Sequence, residues 1–162
     1  MIEGLFGIAS TQAWRLRKRV GMTAPIQNPG SNPYVILAAL SFDEPGNYAL
    51  VEAARVAQLH DNAQLHVVHV VREEGEVESS GELVSLERRL AHAPAEIERR
   101  IERLIAEMPH QVTAHLRAGV PARSILQTAV DIGADLVVVG THQRTLDQVI
   151  TLSVTIKPQL FR

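Results

Sequence analysis

The segment Leu136-Val-Val-Val-Gly-Thr-His-Gln-Arg144 constrains the fold more than any other stretch of this chain. Its unbroken apolar run offers no polar face to water. Such a strand needs cover on both sides, which is the condition of a strand inside a parallel sheet. The run ends on Gly140 and hands over to a polar, basic turn. In open parallel sheets, ligands sit beyond the carboxyl ends of the strands, against the positive N-terminus of the next helix. The segment therefore marks where a site would lie.

Two earlier runs read the same way, Tyr34-Val-Ile-Leu-Ala-Ala-Leu40 and Leu65-His-Val-Val-His-Val-Val71. Between them, Ser41-Phe-Asp-Glu-Pro-Gly46 carries helix-start chemistry, with Asp43 as the cap. Ala49, Leu50, Ala53, Ala54 and Ala57 then line one face of a helix to about His60. Residues 72–80 are acidic and read as a loop. Leu83, Leu86 and Leu90 mark a short helix, and Pro94 opens a second one. In that second helix Ile97, Ile101, Leu104, Ile105 and Met108 face inward, while Glu96, Glu98, Arg99, Arg100, Glu102 and Arg103 form a solvated face with i,i+4 pairing. Val112-Thr-Ala-His-Leu116 alternates, as a half-exposed or edge-proximal strand does. Pro121 opens a helix with Ile125, Leu126, Ala129 and Val130 inward, and Gly133 closes it. A last helix is expected from about Leu146 to Thr155, before Pro158. The order is β-α repeated four times. Right-handed crossovers turn that order into an open parallel sheet with helices on both faces.

At 162 residues the length suits one globular domain, and a net charge of −2 supplies no basic excess for a nucleic acid backbone. The absence of cysteine removes disulfides, thiolate chemistry and cysteine metal sites, and suits a cytoplasmic location. No apolar run has the length that a bilayer demands. Residues 1–33 differ from the rest and read as a leader, a short helix followed by a flexible linker, ahead of a domain over residues 34–162. The cluster Arg15-Leu-Arg-Lys-Arg19 follows the weakly apolar Leu5-Phe-Gly-Ile8 instead of preceding it, which is not signal-peptide order. It reads either as a tether to an acidic protein partner or anionic membrane, or as a solvated leader.

No catalytic constellation stands out. His66 and His69 lie three apart on a strand, hence on opposite faces, and cannot share a metal. His60, His92, His110 and His115 lack acidic or histidine neighbours at ligand spacing, so no metal site is expected. There is no nucleophile elbow and no P-loop lysine. Capping accounts for Asp43, and a turn for Asp135.

Four segments together carry a resemblance. They are Ile36-Leu-Ala-Ala-Leu-Ser-Phe-Asp-Glu-Pro45, Leu65–Val71, Arg117-Ala-Gly-Val-Pro-Ala-Arg-Ser-Ile125 and Ala134-Asp-Leu-Val-Val-Val-Gly-Thr-His142. In this order and spacing the chain from Tyr34 onward resembles the universal stress protein family. The resemblance implies a flavodoxin-like, Rossmann-like α/β fold with strand order 3-2-1-4-5, a homodimer, and a stress-response role. It also implies ATP as the ligand of those members that keep a glycine pattern after strand 4. Glycines there let the backbone approach phosphate closely, and a hydroxyl and freed N–H groups bind its oxygens. The family's binding positions fall on Ala39, Ser41, Val70, Val139, Gly140, His142, Arg144, Ser153 and Val154.

Against that pattern, Gly140 and the Ser153 hydroxyl are kept. Gln143 and Leu152 stand at the other two glycines, and Ser41 stands at the acidic ribose ligand. His142 and Arg144 flank the expected N-terminus of the last helix, where they suit an anion. The expectation is a non-enzymatic regulatory or binding protein with nucleotide binding weakened or lost and no resident cofactor. The alternative is an ATP binder with slow ATPase or phosphotransfer activity. Strand 5 is expected to be missing or vestigial, giving the order 3-2-1-4. A homodimer must then use another surface, and the leader is a candidate cover for the open edge of strand 4.

Overall fold

The structure, a computed structural model, describes residues 12–16, 32–74, 76–77, 83–107, 111–145 and 148–156. In chain order the elements are β1 (Gln12–Leu16), β2 (Tyr34–Ala39), α1 (Glu44–Gln58), β3 (Ala63–Val71), β4 (Glu76–Val77) and β5 (Leu83–Val84). They continue with α2 (Leu86–Ile105), β6 (Val112–Ala118), α3 (Pro121–Asp131), β7 (Leu136–Thr145) and β8 (Gln148–Ile156). Six strands form one sheet in the order β1-β6-β3-β2-β7-β8; β4, in the acidic segment, pairs separately with β5, so Leu83, expected in a helix, is in a short strand instead.

The four central strands pair in parallel, with Ile36 opposite both Leu65 and Leu136, and Leu65 opposite Val112. In terms of the four expected strands this is the order 3-2-1-4, as the flavodoxin-like reading requires. Burial follows from the pairing. Ile36, Leu37, Leu65, Val67 and Val138 are fully enclosed because the sheet is covered on both faces. One core lies between the sheet and α1 and α2, and includes Leu50, Ile97 and Ile101. A smaller one lies under α3, around Val35, Leu37, Val68, Ala129 and Val137.

Both sheet edges depart from expectation. The helix expected at Leu146–Thr155 is instead strand β8, antiparallel to β7 from Val137↔Ile156 to Thr145↔Gln148. Ile150, Leu152, Val154 and Ile156 alternate with Thr151, Ser153 and Thr155, a period of two that suits a strand. The edge of β7 is thus covered, in the place where a parallel strand 5 was expected to be missing. At the other edge, β1 of the leader pairs antiparallel with β6, with Ala13 opposite His115. The leader therefore contributes a strand rather than a helix here, and it covers β6, not β7.

The helices hold smaller corrections. Asp43 caps α1 as expected, its carboxylate accepting from Gly46 N at 2.9 Å. Instead of two helices meeting at Pro94, α2 runs continuously through it from a Ser85 cap. A proline inside a helix removes one hydrogen bond and crowds the preceding turn. Burial of Ala93, Ile97, Ile101 and Ile105 on one face offsets that cost. In α3, Thr128 and Ala129 are buried and Ile125 packs on the core, whereas Leu126 and Val130 are 45% and 70% exposed. The inward face is therefore rotated from the expected one. Gly133, at φ +63°, reverses the chain after α3, and Ala134 N donates to Ala129 O at 2.8 Å. Asp135 does more than turn: its carboxylate accepts from Val35 N at 2.8 Å, and its own N–H donates to Val35 O. That exchange fixes where β2 enters the sheet beside β7.

Candidate functional site

The carboxyl ends of β2, β3 and β7 open onto a cavity of about 730 Å3. Of the expected positions, Ala39, Ser41, Val70, Val139 and Gly140 line it. The parallel strands bring these five together by ending at one level. The other four lie on the β7–β8 hairpin, where the ladder sets Gly140 opposite Ser153, Val139 opposite Val154, His142 opposite Thr151 and Arg144 opposite Val149. His142 and Arg144 therefore do not flank a helix N-terminus. Their backbones are strand, and the anion seat expected from a helix dipole at that point is not formed.

The geometry at Gly140 has a definite cause. A Cβ on Gly140 would stand 2.0 Å from the Pro45 carbonyl oxygen and 2.9 Å from Pro45 Cβ. The first turn of α1 occupies the space that the glycine leaves. Gly46 makes a second close approach, since a Cβ there would meet Ser41 O at 2.1 Å and Ser41 N at 2.5 Å. The start of α1 is thus wedged between the exits of β2 and β7. Its positive end is already capped by Asp43, which also accepts from the Ser41 hydroxyl.

Sequence reasoning missed the other wall. Arg72, just past β3, and Arg89, His92, Glu96 and Arg99 of α2 line the same cavity. Glu96 and Arg99 were read as parts of a solvated helix face, and Arg89 and His92 carried no such assignment; only the three-dimensional placement of α2 shows that they border the cleft. Glu96 pairs with Arg99 at 2.5 Å and with Arg100 at 2.7 Å. Arg100, only 14% exposed, also donates to Asn47 Oδ1 at 2.6 Å and to Phe42 O at 3.0 Å, and lies over the Phe42 ring. The Phe42 ring also stacks on His69, whose ring is 3.8 Å away and parallel to it within 6°. His69 Nδ1 lies 2.7 Å from Leu40 O, which fixes that nitrogen as the donor. This chain of contacts ties α2 to α1 and to the rim of the sheet.

The histidines need a correction as well. His115, read as lacking a histidine neighbour at ligand spacing, meets His66 across β3 and β6, with Nε2 and Nδ1 2.9 Å apart. They lie under the α3 side of the sheet and do not line the cavity. Burial, then the charge of Arg15, lowers the pKa of His66. Burial, then His66 and Arg117, lowers that of His115 to about 4 against the opposing pull of Asp131. Among the described residues no group of three histidine or acidic side chains is placed to hold a metal ion. Also among them, no helix is long and apolar enough to cross a membrane.

A mostly parallel, doubly covered sheet with a cleft at its carboxyl ends is a flavodoxin-like domain. The universal stress protein family model matches residues 35–157, and the chain belongs to that family. Its role is accordingly of the stress-response type. Among solved structures, one is of a hypothetical protein whose biochemical function was assigned from its structure. It matches with 23% identity over 69% of this chain and 77% of that one, at a TM-score of 0.53. The universal stress protein UspA from Lactobacillus plantarum matches with 22% identity over 66% and 77%, at 0.49. A universal stress protein in complex with cAMP matches with 17% identity over 67% and 73%, also at 0.49. A search of curated proteins found no match.

Proposed function

We propose that this chain is a cytoplasmic, non-enzymatic universal stress protein that keeps a small-molecule cleft but has lost the triphosphate seat of the family's ATP binders. One observation carries the reading. The chain continues past Gly140 as a β-hairpin, where a glycine loop and helix N-terminus would cradle phosphates, and Pro45 fills the approach to Gly140. With Leu152 and Gln143 in place of glycines, the backbone there also carries side chains where a close approach is needed.

Equilibrium binding of labelled ATP with magnesium tests this. The expected result is no saturation below about 1 mM, an interaction weaker than about 4 kcal/mol. The competing reading, an ATP binder with slow ATPase or phosphotransfer activity, draws on the placement of Ser153 opposite Gly140 beside the cavity. Micromolar affinity abolished by Ser153→Ala would establish it instead. The same reading makes the protein a homodimer, with β8 as the outer strand of the sheet and the natural edge for pairing.

A further inference from the structure

We propose that β1 is an acid-released latch on the edge of the sheet. While the His66–His115 pair is neutral, β1 stays on β6. Charging the pair repels Arg15 and frees the strand, and the rest of the sheet stays folded.

The ladders put the parts in place. Arg15 lies opposite Thr113, and Thr113 opposite His66. Ala13 lies opposite His115, in the next row. Residues opposite one another in a sheet share a face, so Arg15 and both rings are on the α3 side. The charged groups facing the pair are Arg15 from β1, Arg117 from β6 and Asp131 from α3. From β2 the pair meets Leu37, opposite His66. Asp131 is the one anion of this set, and it is already held by Arg117 at 2.6 Å and by Gln127 at 2.8 Å. A proton on either ring therefore adds a cation beside two arginines.

Linkage sets the direction. Burial, then Arg15, lowers the pKa of His66, and burial, then His66 and Arg117, lowers that of His115 to about 4. Release of β1 takes Arg15 away and lets water reach the β6 side of the pair. Both changes raise the proton affinity of the rings, so acid favours the released state. The latch is closed above pH 6.5 and opens as pH falls from 6.5 towards about 4.

The strand gives way before the fold because little of it is buried. β1 is an outer strand of five residues, none of them fully buried. Trp14 and Leu16 pack on the margin of the larger core, and the Trp14 indole donates to Glu98 of α2 at 2.9 Å. Ala13 and Arg15, on the other side, are exposed. The strands left behind hold the core, including Leu65, Val67, Ala114 and Leu116. Opening at such an edge lies at the low-cost end of local unfolding. It uncovers the outer backbone groups of β6, an edge to which an extended strand can pair.

The single tryptophan makes the release visible. Fluorescence and acrylamide quenching of the full chain are followed from pH 8 to 4.5, with far-UV circular dichroism at each step. The expected result is a red shift of Trp14 emission and stronger quenching below pH 6.5, while the dichroism holds. Arg15→Gln moves the midpoint down by about half a pH unit, the effect of unit charges two strand spacings, about 10 Å, apart. His66→Gln removes most of the shift. Glu98→Gln keeps an acceptor for the indole without ionising, and retains the shift. Arg55→Gln, exposed on α1, leaves the midpoint in place. Should His66→Gln fail to fold at pH 8, Arg15→Gln, at an exposed position, carries the test.

Emission that stays level across the range overturns the proposal, as does dichroism lost together with the fluorescence change. So does a midpoint that Arg15→Gln does not move or that Arg55→Gln moves as far. A transition that vanishes in Glu98→Gln assigns the release to the indole's acceptor and overturns it too.

Discussion

Acid should destabilise this fold in a window set by two histidines. The rings of His66 and His115 lie 5.2 Å apart at 22°, and their facing nitrogens are 2.9 Å apart. At that distance one nitrogen donates and the other accepts, so the contact tolerates at most one fully protonated ring. Charging the accepting ring puts two donors face to face unless the other ring changes tautomer. It also adds a cation among Arg15 of β1 and Arg117 of β6, with Asp131 at the end of α3 as the one opposing charge that bears on His115. His115 is 6% exposed, so water offers little relief.

The sign follows. Both folded-state pKa values lie below the ordinary 6.5, so the unfolded chain takes up protons first as pH falls. The stabilisation is complete above pH 6.5 and is lost between 6.5 and about 4. At 1.36 kcal/mol per pH unit the His115 displacement is worth about 3 kcal/mol, and because the two rings share one proton the pair contributes little beyond that. Against a total of about 5–15 kcal/mol for a domain, this is a large fraction. Asp131, lowered by hydrogen bonds from Gln127 and Arg117, acts with the same sign but below its ordinary 3.8, outside the window. Urea unfolding followed by circular dichroism at half-unit steps from pH 4.5 to 8 measures the effect. His115→Gln keeps a polar partner for His66 without titrating, and should flatten the profile by about 2 kcal/mol over that range. A wild-type profile that is level between pH 6.5 and 4.5, or a variant with an unchanged slope, refutes the argument.

Two further outcomes follow from close contacts. Gly140→Ala puts a Cβ 2.0 Å from the Pro45 carbonyl, a backbone atom that has to move, and should cost about 3 kcal/mol in urea unfolding; a change within about 0.5 kcal/mol would show that α1 does not press on β7 as described. Trp14 is the single tryptophan, and its indole Nε1 donates to Glu98 at 2.9 Å, so its fluorescence reports whether β1 is docked. Glu98→Ala should shift its emission to the red and cost about 1 kcal/mol; unchanged emission would mean that the indole is not held at α2.

The parallel centre of the sheet was legible because its physics is local and repeated. Continuous runs such as Tyr34–Leu40 tolerate only double cover, and Ser41–Gly46 spells out a capped helix start in a few residues. The α2 wall of the cleft was not legible. Arg89 and Glu96 sit on a charged helix face, and charge patterning alone cannot tell water from a neighbouring cavity. The His66–His115 pair was hidden for a related reason. Their contact spans 49 residues of sequence and depends on the β3–β6 register, which local spacing does not contain.

The hairpin is the instructive failure, because its signal was present. Residues 150–156 alternate apolar and hydroxyl side chains and are rich in β-branched types, yet the repeating β-α order argues for a helix there. A helix would also require the chain to cross the sheet before pairing again, and a parallel return needs a crossover of a dozen or more residues. An antiparallel return needs only a tight turn, and only two residues separate β7 from β8. The hairpin therefore satisfies the edge of β7 at a far lower entropic cost than a helix and a fifth parallel strand. It exchanges one cover for another. The edge gains a ladder, while the α3 face keeps α3 as its one helix among the described residues, with Leu126 and Val130 left exposed beside it. The same exchange removes the helix N-terminus that would have faced a phosphate beyond Gly140. On the proposed function, the altered sheet edge and the loss of the triphosphate seat thus have one physical origin, the period-two pattern after Gln148.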